Sequence, residues 1–342
     1  MCTGKTSILG LPHCETDDAE QITRVRLRLI YTQCFCDARV PLQTNPKPPP
    51  TLMWTSCSVG VSARDDALAE TPFAADGEKL PATFLDSGGF QHAERRCPMT
   101  TTALITGGTS GIGRATANKL AQLGVHVVVV GRNLERGEKT VAEIRKAGGG
   151  ADFIGSDLRD ASSARAVAKK ALEITNGQVD ILVNNAGVYP FGPTHEMTEA
   201  EFDEVYSLNV KAPYFLVAEL APLMAKRGKG AIVNLSTMVA DYGAVGMSLY
   251  GSSKAAINLL TKVWAAEYGP SGVRVNAVSP GPTRTEGTEV MGEDLERLAA
   301  EAPARRPATA DEIAEAIVFL ATDHASFIHG AKLAVDGGRT AV

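Results

Sequence analysis

The sequence predicts an α/β fold, a doubly wound parallel sheet of about seven strands with helices on both faces. Three observations carry this. From residue 99 onward, short and almost wholly apolar runs alternate with longer stretches of helical periodicity. The runs lack the apolar/polar alternation of a sheet with one wet face, so both of their faces must be covered. The first run also leads directly into a glycine-rich turn, Thr106-Gly107-Gly108-Thr109-Ser110-Gly111-Ile112-Gly113, which opens a helix.

In chain order, Thr102–Thr106 reads as the first strand and Ile112–Leu123 as a helix ended by Gly124. Val125–Val130 (VHVVVV) is a buried strand, and Leu134–Ala147 an amphipathic helix closed by Gly148-Gly149-Gly150. Asp152–Ile154, Asp180–Val183, Ala231–Leu235, Val273–Val278 and Lys332–Val335 supply the other strands. Helical patterns fill the intervals at Ala161–Thr175, Leu208–Lys226, Leu249–Tyr268 and Ala310–Ala321.

Residues 1–98 are of another kind. All 6 cysteines (Cys2, Cys14, Cys34, Cys36, Cys57, Cys97) and half of the 18 prolines lie there. Apart from a short alternation at Arg24–Tyr31 there is no sustained period. No continuous apolar stretch follows a basic start, which argues against a signal peptide, and early acids (Glu15, Asp17, Asp18, Glu20) argue against a transit peptide. A zinc module on Cys34 and Cys36 with Cys14, Cys57, His13 or His92 fits no standard ligand spacing, so no metal is expected. The segment reads as a disordered extension or upstream sequence joined to a domain that starts at Met99, and residues 99–342 as one folded domain.

The composition, 44% hydrophobic and 21% charged with a net charge of -5, is that of a globular chain and excludes a collagen or a coiled coil. Mild acidity gives no basic face for nucleic acid or an anionic membrane, and no run is long enough to span a bilayer. A cytoplasmic location is expected.

The glycines of the turn let the backbone approach a pyrophosphate, which rests on amides at the helix N-terminus. Strand, turn and helix together make this a Rossmann-type dinucleotide site. At the end of the second strand an NAD-preferring site offers a carboxylate for the ribose 2′-hydroxyl. This chain offers Val130-Gly131-Arg132-Asn133, and the Arg132 guanidinium suits a 2′-phosphate. NADP(H) is therefore expected, with NAD(H) the alternative.

Residues 99–342 resemble a short-chain dehydrogenase/reductase of the single-domain type, similar to 3-oxoacyl-[acyl-carrier-protein] reductases. Thr106–Gly113 (TGGTSGIG), Asn184-Asn185-Ala186-Gly187, Asn209-Val210, Tyr250-Gly-Ser-Ser-Lys254 and Pro280-Gly281 carry the resemblance. Tyr250 and Lys254 stand one helical turn apart on one face. A phenol of pKa about 10 needs help to exchange protons near neutrality, and an adjacent ammonium lowers it. Tyr250 is thus the expected general acid/base. The resemblance gives Lys254 a second role on the nicotinamide ribose.

The family's serine 13 residues before the tyrosine is here Thr237, which supplies the same donor and acceptor, with Ser236 as the alternative. The resemblance further implies that Asn209 holds a proton-relay water near the lysine. It assigns Asn184, Ala186 and Gly187 to the adenine side of the cofactor site, Asp157 and Leu158 to the adenine, and Pro280, Gly281 and Thr283 to the nicotinamide. The expected cofactor set is Gly107, Thr109, Ser110, Gly111, Ile112, Gly113, Arg132 and these residues, with Tyr250 and Lys254.

The family places a substrate lid at Thr283–Pro307. Tyr189, Phe191, Met238, Val245 and Met247 are expected to line a mostly apolar pocket for a ketone, a secondary alcohol or a 3-oxoacyl thioester. Two alternatives remain: a non-catalytic regulator that senses NADP(H), and an enzyme switched by its N-terminal cysteines. The long helices Leu208–Lys226 and Leu249–Tyr268 carry apolar residues on more than one face, and in the family they build a homodimer or homotetramer.

Overall fold

A computed structural model describes residues 100–342. The N-terminal extension, its cysteines and Met99 lie outside the described residues. The chain runs β1 (Thr102–Thr106), α1 (Gly111–Gln122), β2 (His126–Gly131), α2 (Leu134–Lys146), β3 (Ala151–Gly155), α3 (Ala161–Ile174) and β4 (Ile181–Asn184). It continues with α4 (Glu199–Tyr206), α5 (Ala212–Arg227), β5 (Gly230–Leu235), α6 (Ser248–Tyr268) and β6 (Val273–Pro280). The last elements are β7 (Thr283–Arg284), α7 (Glu293–Ala300), β8 (Ala308–Thr309), α8 (Ala310–Ala321) and β9 (Lys332–Val335).

Seven parallel strands form one sheet in the order β3-β2-β1-β4-β5-β6-β9. Successive residues of each strand face opposite layers. Ala103 and Ile105 pack with Leu120 of α1, Ile144 of α2 and Ile317 of α8. Leu104 packs on the other side with Val167 of α3, Leu216 of α5 and Trp264 of α6. Both faces are dry along β1, β2, β4, β5 and β6, which is why those central strands read as nearly unbroken apolar runs, while the edge strands β3 and β9 are partly exposed. The chain reverses its winding between β1 and β4, so the turns after those strands diverge and leave a crevice at their carboxyl ends.

Local signals set the helix starts. Asn133 accepts from the Arg136 amide to open α2, and Asp160, Thr198 and Thr309 make capping boxes for α3, α4 and α8. The expected helix Leu208–Lys226 differs: α4 precedes it, and a π-turn at Ser207–Lys211 joins α4 to α5. The expected lid holds the short helix α7 and the strand β7, which pairs with β8. Pairing to a strand many residues away is a long-range event with no local signature. Among the described residues no helix is long and apolar enough to cross a membrane.

Candidate active site

The glycine turn is shaped by backbone demands. Gly107 has φ +64° and Gly111 φ +50°, both left-handed. A Cβ on Gly107 would stand 2.8 Å from Asn185 Nδ2, and one on Gly113 would stand 2.3 Å from the Gly107 carbonyl. Asn185 Nδ2 donates to the carbonyls of Thr106 (2.9 Å) and Gly107 (3.1 Å), and Thr106 Oγ1 accepts from the amides of Asn185 and Ala186. The turn after β4 therefore clamps the turn after β1. Together they floor a cleft of about 540 Å³ that runs from Arg132 to Tyr250.

At one end of the cleft Arg132 and Arg136 stand exposed beside Ser156, Asp157 and the buried Leu158. Asp157 is ion-paired with Arg159. No carboxylate at the β2 end replaces Arg132. In the middle, Glu286 reaches back to the glycine turn: its Oε2 accepts from the Gly111 amide at 2.8 Å, and its Oε1 lies 2.6 Å from Arg114. Partial burial pulls this carboxyl upward. Hydrogen bonds from its own amide and that of Gly111, with Arg114 and Arg136 nearby, outweigh it and hold the pKa below the ordinary value.

At the other end α6 presents Tyr250 and Lys254, one turn apart. The buried Lys254 ammonium donates to the Leu235 carbonyl at 2.8 Å and lies 6.0 Å from the Tyr250 ring centre. Desolvation pushes the Tyr250 phenol up to about 12, against a hydrogen bond with the Thr237 side chain that pulls it down. Desolvation also pushes Lys254 down to about 8. The expected lowering of the phenol by the ammonium is therefore not what the geometry gives. Burial dominates, and Lys254 is engaged with a backbone carbonyl rather than with the phenol oxygen.

Thr237 is the hydroxyl that pulls the Tyr250 phenol down, while Ser236 Oγ is buried with no hydrogen-bond partner. Both line the cleft, as do Gly187, Pro280, Gly281 and Thr283, whose Oγ1 donates to the Gly281 carbonyl. Three expected site residues stand elsewhere. Asn184, the last residue of β4, lies 4% exposed in the sheet and donates to Asn234 Oδ1 at 2.8 Å; strand alternation turns Asn185 to the cleft in its place. Gly113 lies under the turn as a close-packing position. Asn209, in the π-turn, commits its carboxamide to the Val188 backbone and to Ser253 Oγ, so it clamps the loop after β4.

Tyr189, Met238 and Met247 line the cleft with Tyr250, joined by Met291, Leu295 and Leu298 of the segment Thr283–Pro307. Phe191 and Val245 do not line it; they are 71% and 93% exposed. Asn185 belongs to the segment Asn184–Gly187 that the resemblance puts beside the cofactor, though not to the expected cofactor set, and Arg136 was not anticipated. Arg136 could have been found from its place in the first turn of the helix that follows Arg132.

The residues present fit a dinucleotide. The turn excludes a Cβ at Gly107, its helix leads with amides that no side chain of Ser110 caps, and two guanidiniums close the far end. Facing it, a phenol and a threonine hydroxyl can hold one oxygen and exchange a proton with it.

A sequence profile described as enoyl-(acyl carrier protein) reductase matches residues 107–340. The 3-oxoacyl-[acyl-carrier-protein] reductase of Thermotoga maritima is 35% identical over 236 residues, 69% of this chain and 96% of that protein. A solved structure described as a short chain dehydrogenase/reductase family protein is 48% identical at a TM-score of 0.66, covering 71% of this chain and 99% of that one. The crystal structure of a blue fluorescent protein from a metagenomic library in complex with NADPH is 32% identical at a TM-score of 0.67, covering 70% and 97%.

Proposed function

The chain belongs to the short-chain dehydrogenase/reductase family and is an oxidoreductase of the CH–OH/carbonyl couple; from that premise we propose that it is NADP(H)-dependent and interconverts a neutral ketone and its secondary alcohol. One observation carries the reading: Tyr250, Thr237 and Lys254 converge at the end of the same cleft that begins at the glycine turn. When bound, the nicotinamide supplies or accepts the hydride.

The chain's own groups handle the oxygen and its proton. In the reducing direction the Tyr250 hydroxyl gives its proton to the carbonyl oxygen, while the Thr237 hydroxyl donates a hydrogen bond that fixes that oxygen. A phenol held up to about 12 is fully protonated at neutral pH, and Lys254 at about 8 is still mostly charged, so the donor form is the resting form. Lys254, held on the Leu235 carbonyl 6.0 Å from the phenol ring centre, acts as a distant charge rather than a direct partner: burial dominates the resting phenol, and the ammonium favours the negative charge that develops on it during transfer.

The preference for NADP(H) rests on Arg132 and Arg136, two exposed guanidiniums at the nucleotide end. The substrate end is uncharged apart from Lys254, and Met238, Met247 and Met291 give it an adaptable apolar lining that favours a substrate without a carboxylate. Residues 99–342 form the whole catalytic domain in this reading. The chain acts as a homo-oligomer through α5 and α6, whose Tyr214, Leu259 and Val263 are exposed apolar side chains.

The test follows NADPH and NADH absorbance with a panel of ketones and 3-oxoacyl thioesters. NADPH-preferring turnover that disappears in Tyr250→Phe is the expected result. Equal use of NADH removes the cofactor preference, and turnover that survives in the variant removes Tyr250 from its role.

A further inference from the structure

The anion that meets the glycine turn in this structure belongs to the protein itself. α1 begins without a side-chain cap from Ser110 and has no acid in its first turn. Helices α2, α3, α4 and α8 cap themselves locally. The Gly111 amide of α1 is met instead by Glu286, 175 residues away, at 2.8 Å. The same carboxylate lies 2.6 Å from Arg114, and the Thr285 side chain comes within 3.1 Å of where a Gly111 Cβ would stand. Glu286 is about one-third exposed and lines the cleft between its nucleotide and substrate ends.

We propose that Glu286 is an internal anion that competes with the phosphates of the dinucleotide for the amides of the glycine turn, so that this residue sets the affinity of the enzyme for its cofactor. The inference rests on the dinucleotide reading of the cleft. Its physics is simple. A helix N-terminus presents orphan amides and a partial positive charge, and two anions cannot share it at close range without mutual repulsion. A carboxylate delivered by a loop satisfies the free enzyme and must withdraw when a phosphate arrives. Withdrawal also releases Arg114 from its ion pair, leaving a guanidinium at the same helix end for the incoming anion.

Two variants, Glu286→Gln and Glu286→Ala, test this in the full-length protein by titration with NADPH and, separately, with inorganic pyrophosphate as a competitor that lacks the nicotinamide and adenosine. Both ligands are expected to bind about two- to tenfold more tightly to the variants, the range set by one exposed charge at a helix terminus and one surface ion pair. The melting temperature of the cofactor-free variants is expected to fall slightly as α1 loses its cap, and its rise on adding NADPH to grow. Unchanged or weaker NADPH affinity in both variants overturns the proposal. A gain for NADPH without one for pyrophosphate also overturns it, because the effect then lies away from the phosphate-binding turn. If NADPH binds neither the parent protein nor the variants, it is the dinucleotide reading that fails, and this proposal falls with it.

Discussion

Tyr250 keeps its proton tightly and Lys254 keeps its own loosely, both because burial penalises the charged form. The consequences can be measured. Tyr250→Phe is expected to lower turnover by about 10²- to 10⁴-fold, the usual worth of a general acid, while NADPH still binds. Ketone reduction should be level at lower pH and decline as pH rises through about 8, where Lys254 loses its charge; Lys254→Met should lack that decline at a lower overall rate. The same shift acts on stability. Between about 8 and the ordinary 10.5 the unfolded chain keeps a proton on this lysine that the folded chain has released, so this group makes stability rise with pH across that window. Denaturant midpoints at both edges of the window, in the parent protein and in Lys254→Met, would show whether the slope belongs to Lys254. The two hydroxyls beside Tyr250 separate in the same way: Thr237→Val should cost most of the turnover, and Ser236→Ala little, since Thr237 and not Ser236 acts on the phenol.

Elements place these residues, and their junctions are where the tolerances are smallest. β1, the glycine turn and α1 meet so closely that a Cβ on Gly113 would lie 2.3 Å from the Gly107 carbonyl, a backbone atom that cannot swing away. Gly113→Ala is therefore expected to push α1 off the turn, at a cost of about 1–3 kcal/mol in denaturant unfolding and with loss of NADPH binding. Helix α6, which carries Tyr250 and Lys254, is anchored in turn by a buried polar chain. Asn184 donates to Asn234, Asn234 donates to Thr261 at 2.9 Å, and Thr261 sits two turns beyond Lys254 on α6. The π-turn before α5 widens the helix just where Asn209 must reach Val188. These contacts join β4, β5, α6 and the loop after β4 into one frame behind the phenol.

Across the whole molecule, the profile match covers residues 107–340, and relatives are matched over 96% of their length or more by about 70% of this chain. Removing residues 1–98 is accordingly expected to leave NADPH affinity and turnover unchanged; a loss of either would give the extension and its cysteines a role. The exposed apolar side chains of α5 and α6 call for a partner, and sedimentation at micromolar concentration is expected to return a multiple of the chain mass. A mass equal to one chain would remove that proposal.

The order of strands and helices, the parallel sheet and the glycine turn were legible in the sequence because each rests on a local pattern: apolar runs without alternation, helical periodicity, and glycines where the backbone must turn left-handed. The Tyr250–Lys254 pair was legible because one helical turn separates the two. The sense of the Tyr250 shift was not, since desolvation depends on everything packed around the ring and not on the lysine alone. Nor was the exchange of Asn184 for Asn185 at the cleft, which hangs on where β4 ends. The reach of Glu286 to Gly111 across 175 residues lay furthest from view, because a carboxylate meets a helix end at that separation only after the sheet, the lid segment and the glycine turn have been assembled.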